Sequence, residues 1–104
     1  MLPLGTGKVY VEDEEGKGSF AEVRLYKAGS AQKHAASDDT TLKQALIRAL
    51  NAPARDKQDQ GEGIVRMRIN NNLGYLVYRI YPRDLMAVIF HYHWNYKLDD
   101  PLTV

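Results

Sequence analysis

The sequence predicts an α+β fold: an antiparallel β-sheet with an N-terminal hairpin, one principal helix and a C-terminal three-stranded meander, in the order ββαβββ. Three observations carry this expectation. One stretch repeats its apolar residues at helical spacing, residues 64 to 94 alternate at the two-residue period of strands, and two alternating runs near the start flank an acidic, glycine-containing tip. With 104 residues, 44% of them hydrophobic, the chain can build one core, so a single α+β domain over 1–104 is expected.

The hairpin is read over residues 8 to 27. Lys8 to Val11 and Ala21 to Tyr26 alternate across the tip Glu12 to Gly18, which puts Ala21, Val23 and Leu25 on the inner face. The run Glu12-Asp13-Glu14-Glu15 suits a solvated tip, because like charges repel and prefer water. Ala28 to Asp38 reads as a connection with one loose helical turn at Ala31 to Ala36. Leu42, Ala45, Leu46, Ala49 and Leu50 then fall at i, i+3, i+4, i+7 and i+8, so one apolar stripe faces a sheet. Ser37, Asp38 or Asp39 caps this helix, which runs over about 40 to 51 and stops at Asn51 ahead of Pro53. Ala52 to Gly63 has no apolar periodicity and reads as a mobile surface loop.

The meander follows. Val65, Met67 and Ile69 alternate with Ile64, Arg66, Arg68 and Asn70, and Leu76, Tyr78 and Ile80 alternate with Tyr75, Val77, Arg79 and Tyr81. An Asn71-Asn72 turn pairs Arg68 with Tyr75 and Arg66 with Val77. A three-residue turn, Pro82-Arg83-Asp84, pairs Tyr81 with Leu85 and sets Tyr75 opposite His91, Val77 opposite Ile89 and Arg79 opposite Ala87. Arg68, Tyr75 and His91 then form one row, with Arg66, Arg79 and His93 nearby. Met86, Val88, Phe90, Tyr92 and Trp94 face the helix in that register. A two-residue turn would send His91 to the other face.

Composition narrows the chemistry. With no cysteine, a disulfide scaffold, a Cys-ligated zinc, an iron–sulfur centre and a thiol nucleophile are all excluded. The longest apolar run, Leu85 to Phe90, is far shorter than the roughly 20 residues of a bilayer span, so no membrane association is expected. The opening Met-Leu-Pro-Leu-Gly has no signal-peptide pattern, and a cytoplasmic protein is expected. The net charge of +1 excludes a uniformly basic coat but not a local patch. From Ile64 to Lys97 there are five Lys and Arg against the single acid Asp84, and seven of the ten aromatic residues lie between Tyr75 and Tyr96. Guanidinium groups hold phosphates and aromatic faces stack on unpaired bases, so this interleaving suits single-stranded RNA. Arg66, Arg68 and Arg79 are assigned to phosphates, Tyr75 or Tyr81 to a base, and His91 or His93 to proton transfer.

Other chemistries fit less well. His91 and His93 would need a third zinc ligand from His34, Glu62 or Asp99, so the reading chosen uses neither metal nor cofactor. Gly5-Thr6-Gly7-Lys8 lacks phosphate-loop spacing, and no serine-hydrolase elbow is present.

The stretches Ile64 to Ile69, Gly74 to Ile80 and Ala87 to Trp94 resemble the C-terminal sheet of RelE/ParE-type bacterial toxins: a basic strand, a turn, a strand reading R-L-V-Y-R then Ile or Val, and an apolar strand ending in Tyr-His. Arg66 and Arg68 match the basic strand, Arg79 the Arg after L-V-Y, and His91 or His93 the terminal His, while Tyr75 stands at the family's preceding Arg. The resemblance covers these three strands; the family opens with one strand and two helices where this chain has a hairpin and one helix. It implies a metal-independent endoribonuclease acting on RNA, including ribosome-bound mRNA, held inactive by a cognate antitoxin. The alternative is a non-enzymatic protein-binding module, such as an inhibitor, immunity or mobile-element protein, that uses the hairpin tip, the 52 to 63 loop or the aromatic end of the sheet.

Overall fold

A computed structural model describes residues 1–12, 14–32, 39–69 and 74–94. Strands β1 (Leu2–Glu12) and β2 (Gly18–Gln32) form the hairpin, helix α1 (Asp39–Asn51) follows, and then come β3 (Lys57–Asp59), β4 (Ile64–Ile69), β5 (Gly74–Tyr81) and β6 (Met86–Trp94). They build one six-stranded sheet in the order β1-β2-β6-β5-β4-β3. The α+β class, the hairpin, the single long helix and the meander are as expected from the sequence.

Three features of the element layout depart from expectation, and the β5–β6 register departs as well. The sheet is mixed rather than antiparallel, because β6 runs parallel to β2, with Arg24 opposite Met86 and Lys27 opposite Ile89. This contact joins distant parts of the chain and leaves no local pattern; its trace in the sequence is that Met86 to Phe90 is apolar on both faces, as a central strand should be. The supposed loop at 52–63 contains a 3₁₀ turn, Ala54–Asp56, and the edge strand β3, which pairs antiparallel with β4. Three polar residues carry no period, and a short, charged edge strand discourages further strand addition. Strand β2 runs on through Gln32, so Ala28 to Gln32 is strand instead of connection and the proposed helical turn does not begin at Ala31; residues 33–38, with the caps Ser37 and Asp38, lie outside the described residues.

The helix forms where the stripe requires it. Leu42, Leu46 and Ala49 are buried in one cluster with Val9, Val23, Leu25, Leu76, Tyr78, Ala87, Ile89 and Tyr92, and Ala45 on the same helix is buried too. Each fully buried Leu or Ile contributes about 1.5–3 kcal/mol, and this layer is the core. Inward-facing Val23 and Leu25 match the hairpin reading, and Ala21 is half-buried. The helix start is tied to β2 by an ion pair, Lys27 Nζ to Asp39 Oδ1 at 2.8 Å. Its end is tied to β1 by Asn51. The Asn51 Oδ1 accepts from the Tyr10 backbone N–H at 3.0 Å, and its Nδ2 donates to the Lys8 carbonyl at 3.1 Å, so the carboxamide sits where a neighbouring strand would pair. The helix comes so close to β1 that a Cβ on Gly7 would stand 2.6 Å from Ile47 Cγ1.

The β5–β6 register is corrected at two places. Pro82–Asp84 forms a 3₁₀ turn, and Leu85 follows in the left-handed region (φ 48°), so Tyr81 pairs with Met86 instead of Leu85. This one-residue slip turns Ala87 and Ile89 toward the helix and Met86 and Val88 away from it. A bulge at Phe90 then adds a second residue, after which Val77 pairs with His91, Leu76 with Tyr92 and Tyr75 with His93. Tyr92 therefore reaches the core as expected, whereas Met86 and Val88 do not. The Trp94 side chain lies outside the described part of the structure.

Two core tyrosines are held neutral. Burial pushes the Tyr78 phenol up to about 12, and its hydroxyl has no hydrogen-bond partner among the described residues. Burial also raises Tyr92, with Lys27 opposing that shift and Asp39 reinforcing it. Beneath the sheet edge, burial lowers Lys57, whose ammonium donates to the Leu50 carbonyl.

Candidate functional site

One side of the sheet carries α1. Side chains alternate along strands, so the opposite side receives Lys8 and Tyr10 from β1, Phe20, Arg24 and Tyr26 from β2, Val77, Arg79 and Tyr81 from β5, and Arg66 and Arg68 from β4. Among the described residues no helix packs on this side. Val88, 1% exposed, stands there between its cross-strand partners Tyr26 and Arg79.

The site centres on Tyr75. The β4–β5 ladder is as expected, with Arg68 opposite Tyr75 and Arg66 opposite Val77; the Asn71-Asn72 turn lies outside the described residues. His91 is on the expected side of the sheet but opposite Val77, one row from the position expected for it. It reaches Tyr75 diagonally: Tyr75 Oη and His91 Nε2 are 2.7 Å apart, and the rings are 5.3 Å between centroids. From the other side, the Arg66 guanidinium lies 4.2 Å from the Tyr75 ring centroid. A phenol gripped by a cation on its face and an imidazole at its hydroxyl forms a proton-sharing pair beside a positive charge. Tyr75 and His91 are both half-buried, which limits the water competing for that bond.

The other expected site residues are distributed around this cluster. Arg68 lies in the Tyr75 row, and the His93 backbone completes that row; the His93 side chain lies outside the described part of the structure. Arg79 and Tyr81 form a separate pair, guanidinium to ring centroid 5.0 Å, further along β5. Tyr81 stands six positions beyond Tyr75, about 20 Å of strand at roughly 3.3 Å per residue. Strands β4, β5 and β6 contain no acidic residue, so the arginines dominate the potential on this side. Toward the hairpin, Glu22 sits opposite Lys8 and accepts from the Thr6 hydroxyl at 2.8 Å, which balances the charge there. No group of three or more His, Asp or Glu able to hold a metal occurs among the described residues, and His34 and Asp99 lie outside them.

A cleft of about 640 Å³ adjoins the Arg79–Tyr81 pair, with Glu62, Arg83 and Asp84 on its walls. Sequence reasoning missed it because the residues before β4 read as unstructured loop. The available signal was turn chemistry: Gly61 and Gly63 both adopt positive φ, and Asp59 accepts from the Gly61 N–H at 2.8 Å. Arg24 was also missed; its guanidinium donates to the Asp84 carbonyl across the parallel junction that local patterning does not reveal.

No family model, no curated protein and no solved structure matches the chain. No helix among the described residues is long and apolar enough to cross a membrane.

Proposed function

We propose that this protein binds single-stranded RNA on the side of the sheet opposite the helix and cleaves it at the Arg66–Tyr75–His91 cluster. The observation that carries the reading is the Tyr75–His91 hydrogen bond beside the Arg66 guanidinium, on a face where a strand can lie. In this scheme His91 takes the proton of a ribose 2′-hydroxyl as O2′ bonds to phosphorus. The P–O5′ bond breaks, and Tyr75 gives its phenolic proton to the departing oxygen. The Tyr75–His91 bond then returns a proton from imidazolium to phenolate, leaving a 2′,3′-cyclic phosphate and a 5′-hydroxyl. Arg66 and Arg68 neutralise the charge that builds on the phosphoryl oxygens, and no metal enters the scheme.

Such an enzyme works in the cytoplasm on mRNA and needs a restraining partner, as the likeness to RelE/ParE-type toxins implies. The test is cleavage of a fluorescent single-stranded RNA in the presence of a chelator. Wild type should give cyclic-phosphate ends, His91→Ala should lose about 100-fold or more in rate, and a 2′-deoxy linkage should resist. Cutting of the deoxy linkage, or full activity in His91→Ala, would remove the mechanism.

A protein-binding role is favoured by a different observation. Tyr10 and Phe20 form an edge-to-face pair with 5.7 Å between centroids, and they are 49% and 70% exposed beside the acidic hairpin tip. Under that reading a stoichiometric protein partner co-purifies with the His91→Ala variant and is lost with Tyr10→Ser and Phe20→Ser.

A further inference from the structure

We infer that the cleft beside Arg79 and Tyr81 is a guanine-selective base site, the second contact of the same RNA strand that crosses the cleavage cluster. This rests on the RNA-binding reading and adds to it a base preference and a direction along β5.

The walls of the cleft are two tight turns. One, residues 60–63, is shaped by Gly61 and Gly63 at positive φ with Glu62 between them (φ 56°), and it is fastened to β5 where the Ile80 N–H donates to the Gly63 carbonyl at 2.9 Å. The other is the Pro82–Asp84 turn closed by Leu85, where the Leu85 N–H donates to the Pro82 carbonyl. Between them the cleft is lined by two arginines, Arg79 and Arg83, by the acidic residues Asp59, Glu62 and Asp84, and by Tyr81, with Val65 and Ile80 completing an apolar wall.

That combination selects among ligands by elementary hydrogen-bond chemistry. A purely basic cleft would take any phosphate, and a purely acidic one would repel the strand. A mixed cleft with an aromatic wall suits a base whose edge offers both donors and acceptors. An ionised carboxylate only accepts, and its two oxygens can take two adjacent donors. Guanine alone among the four common bases presents such a pair, N1–H with N2–H, while its O6 and N7 match an arginine fork. The Tyr81 ring, already paired with Arg79, supplies the stacking surface. The separation of about 20 Å from Tyr75 along β5 requires a strand of several nucleotides to touch both places.

The test uses 2′-O-methyl hexamers, which cannot be cleaved through the 2′-oxygen: oligo(U), and oligo(U) carrying one guanosine, one inosine or one adenosine, together with free GMP and free IMP. Fluorescence anisotropy and competition give the affinities. The guanosine hexamer should bind about tenfold or more tighter than oligo(U), and inosine, lacking the N2 amino group, should lose most of that gain. Glu62→Ala with Asp84→Ala, both exposed turn positions, should bring the ratio of guanosine to uridine affinity close to one, with the fold checked by circular dichroism. If all four hexamers bind well and alike, the guanine site is refuted and RNA binding stands. If GMP binds with preference over IMP and no hexamer binds, the cleft is a site for a free nucleotide and the RNA reading falls. If nothing binds, both fall.

Discussion

Removing the Tyr78 hydroxyl should stabilise this protein. The side chain is fully buried beneath the helix, and its hydroxyl finds no partner among the described residues. A buried donor without a partner costs about 1–3 kcal/mol, and Tyr78→Phe removes that cost while keeping the ring that packs the core. Ionisation supplies a second, independent magnitude. Burial raises the phenol from 10.0 to about 12, a gap worth about 2.7 kcal/mol. The native state then holds its proton where the unfolded chain releases it. The resulting stability is fully present below pH 10 and is lost as pH rises toward 12. Urea denaturation followed by circular dichroism at pH 7 and pH 11 reads both effects. The variant should be more stable at pH 7, and its advantage should widen by about 1.4 kcal/mol at pH 11, where about half of the linkage has been expressed. Lys57 and Tyr92 titrate equally in both proteins and cancel from the difference. A variant less stable than wild type by more than about 1 kcal/mol at pH 7, or an advantage that does not change with pH, would refute the reasoning.

Other perturbations follow from the same contacts. Asn51→Ala removes the side chain that occupies the Lys8 and Tyr10 backbone groups and donates to the Ile47 carbonyl; it should cost about 1–2 kcal/mol in urea denaturation and promote association in sedimentation, while an unchanged midpoint would dismiss the role of the clamp. Gly7→Ala should cost about 1–3 kcal/mol because its methyl overlaps Ile47, and Ile47→Ala in the same chain should recover part of the loss; the absence of any recovery would locate the strain elsewhere. RNA affinity should fall with salt, and Arg66→Ala should flatten the logarithmic slope by about 0.7, the share of one phosphate on a single strand; a slope left intact would take Arg66 out of phosphate contact.

The helix was legible because Leu42, Ala45, Leu46 and Ala49 obey a period that only one kind of backbone has. The β4–β5 register was legible because Arg66 and Arg68 interrupt an apolar alternation, which gives the strand a phase. Strand β6 has no such phase. Ala87, Val88 and Ile89 are all buried, so nothing in the sequence distinguishes one register from the next or marks the bulge at Phe90. The site survived this ambiguity by parity. The extra turn residue, Leu85, moves every β6 side chain to the other face, and the bulge moves those beyond it back again, so His91 returns to the side of Arg66 and Tyr75 one row further along. The parallel junction and the cleft depend on contacts between remote segments, about which local patterns say nothing.

The position of β6 between β2 and β5 bears on how the chain acquires its shape. The β2 backbone from Arg24 to Lys27 has no second neighbour until Met86 to Ile89 has been synthesised. Until then the nascent hairpin is a two-stranded ribbon, marginal in water, with an open inner edge that any extended segment could occupy. Its closure must wait for the long-range step of bringing the two segments together, so a ribosome paused before Met86 would present an unpaired, aggregation-prone edge.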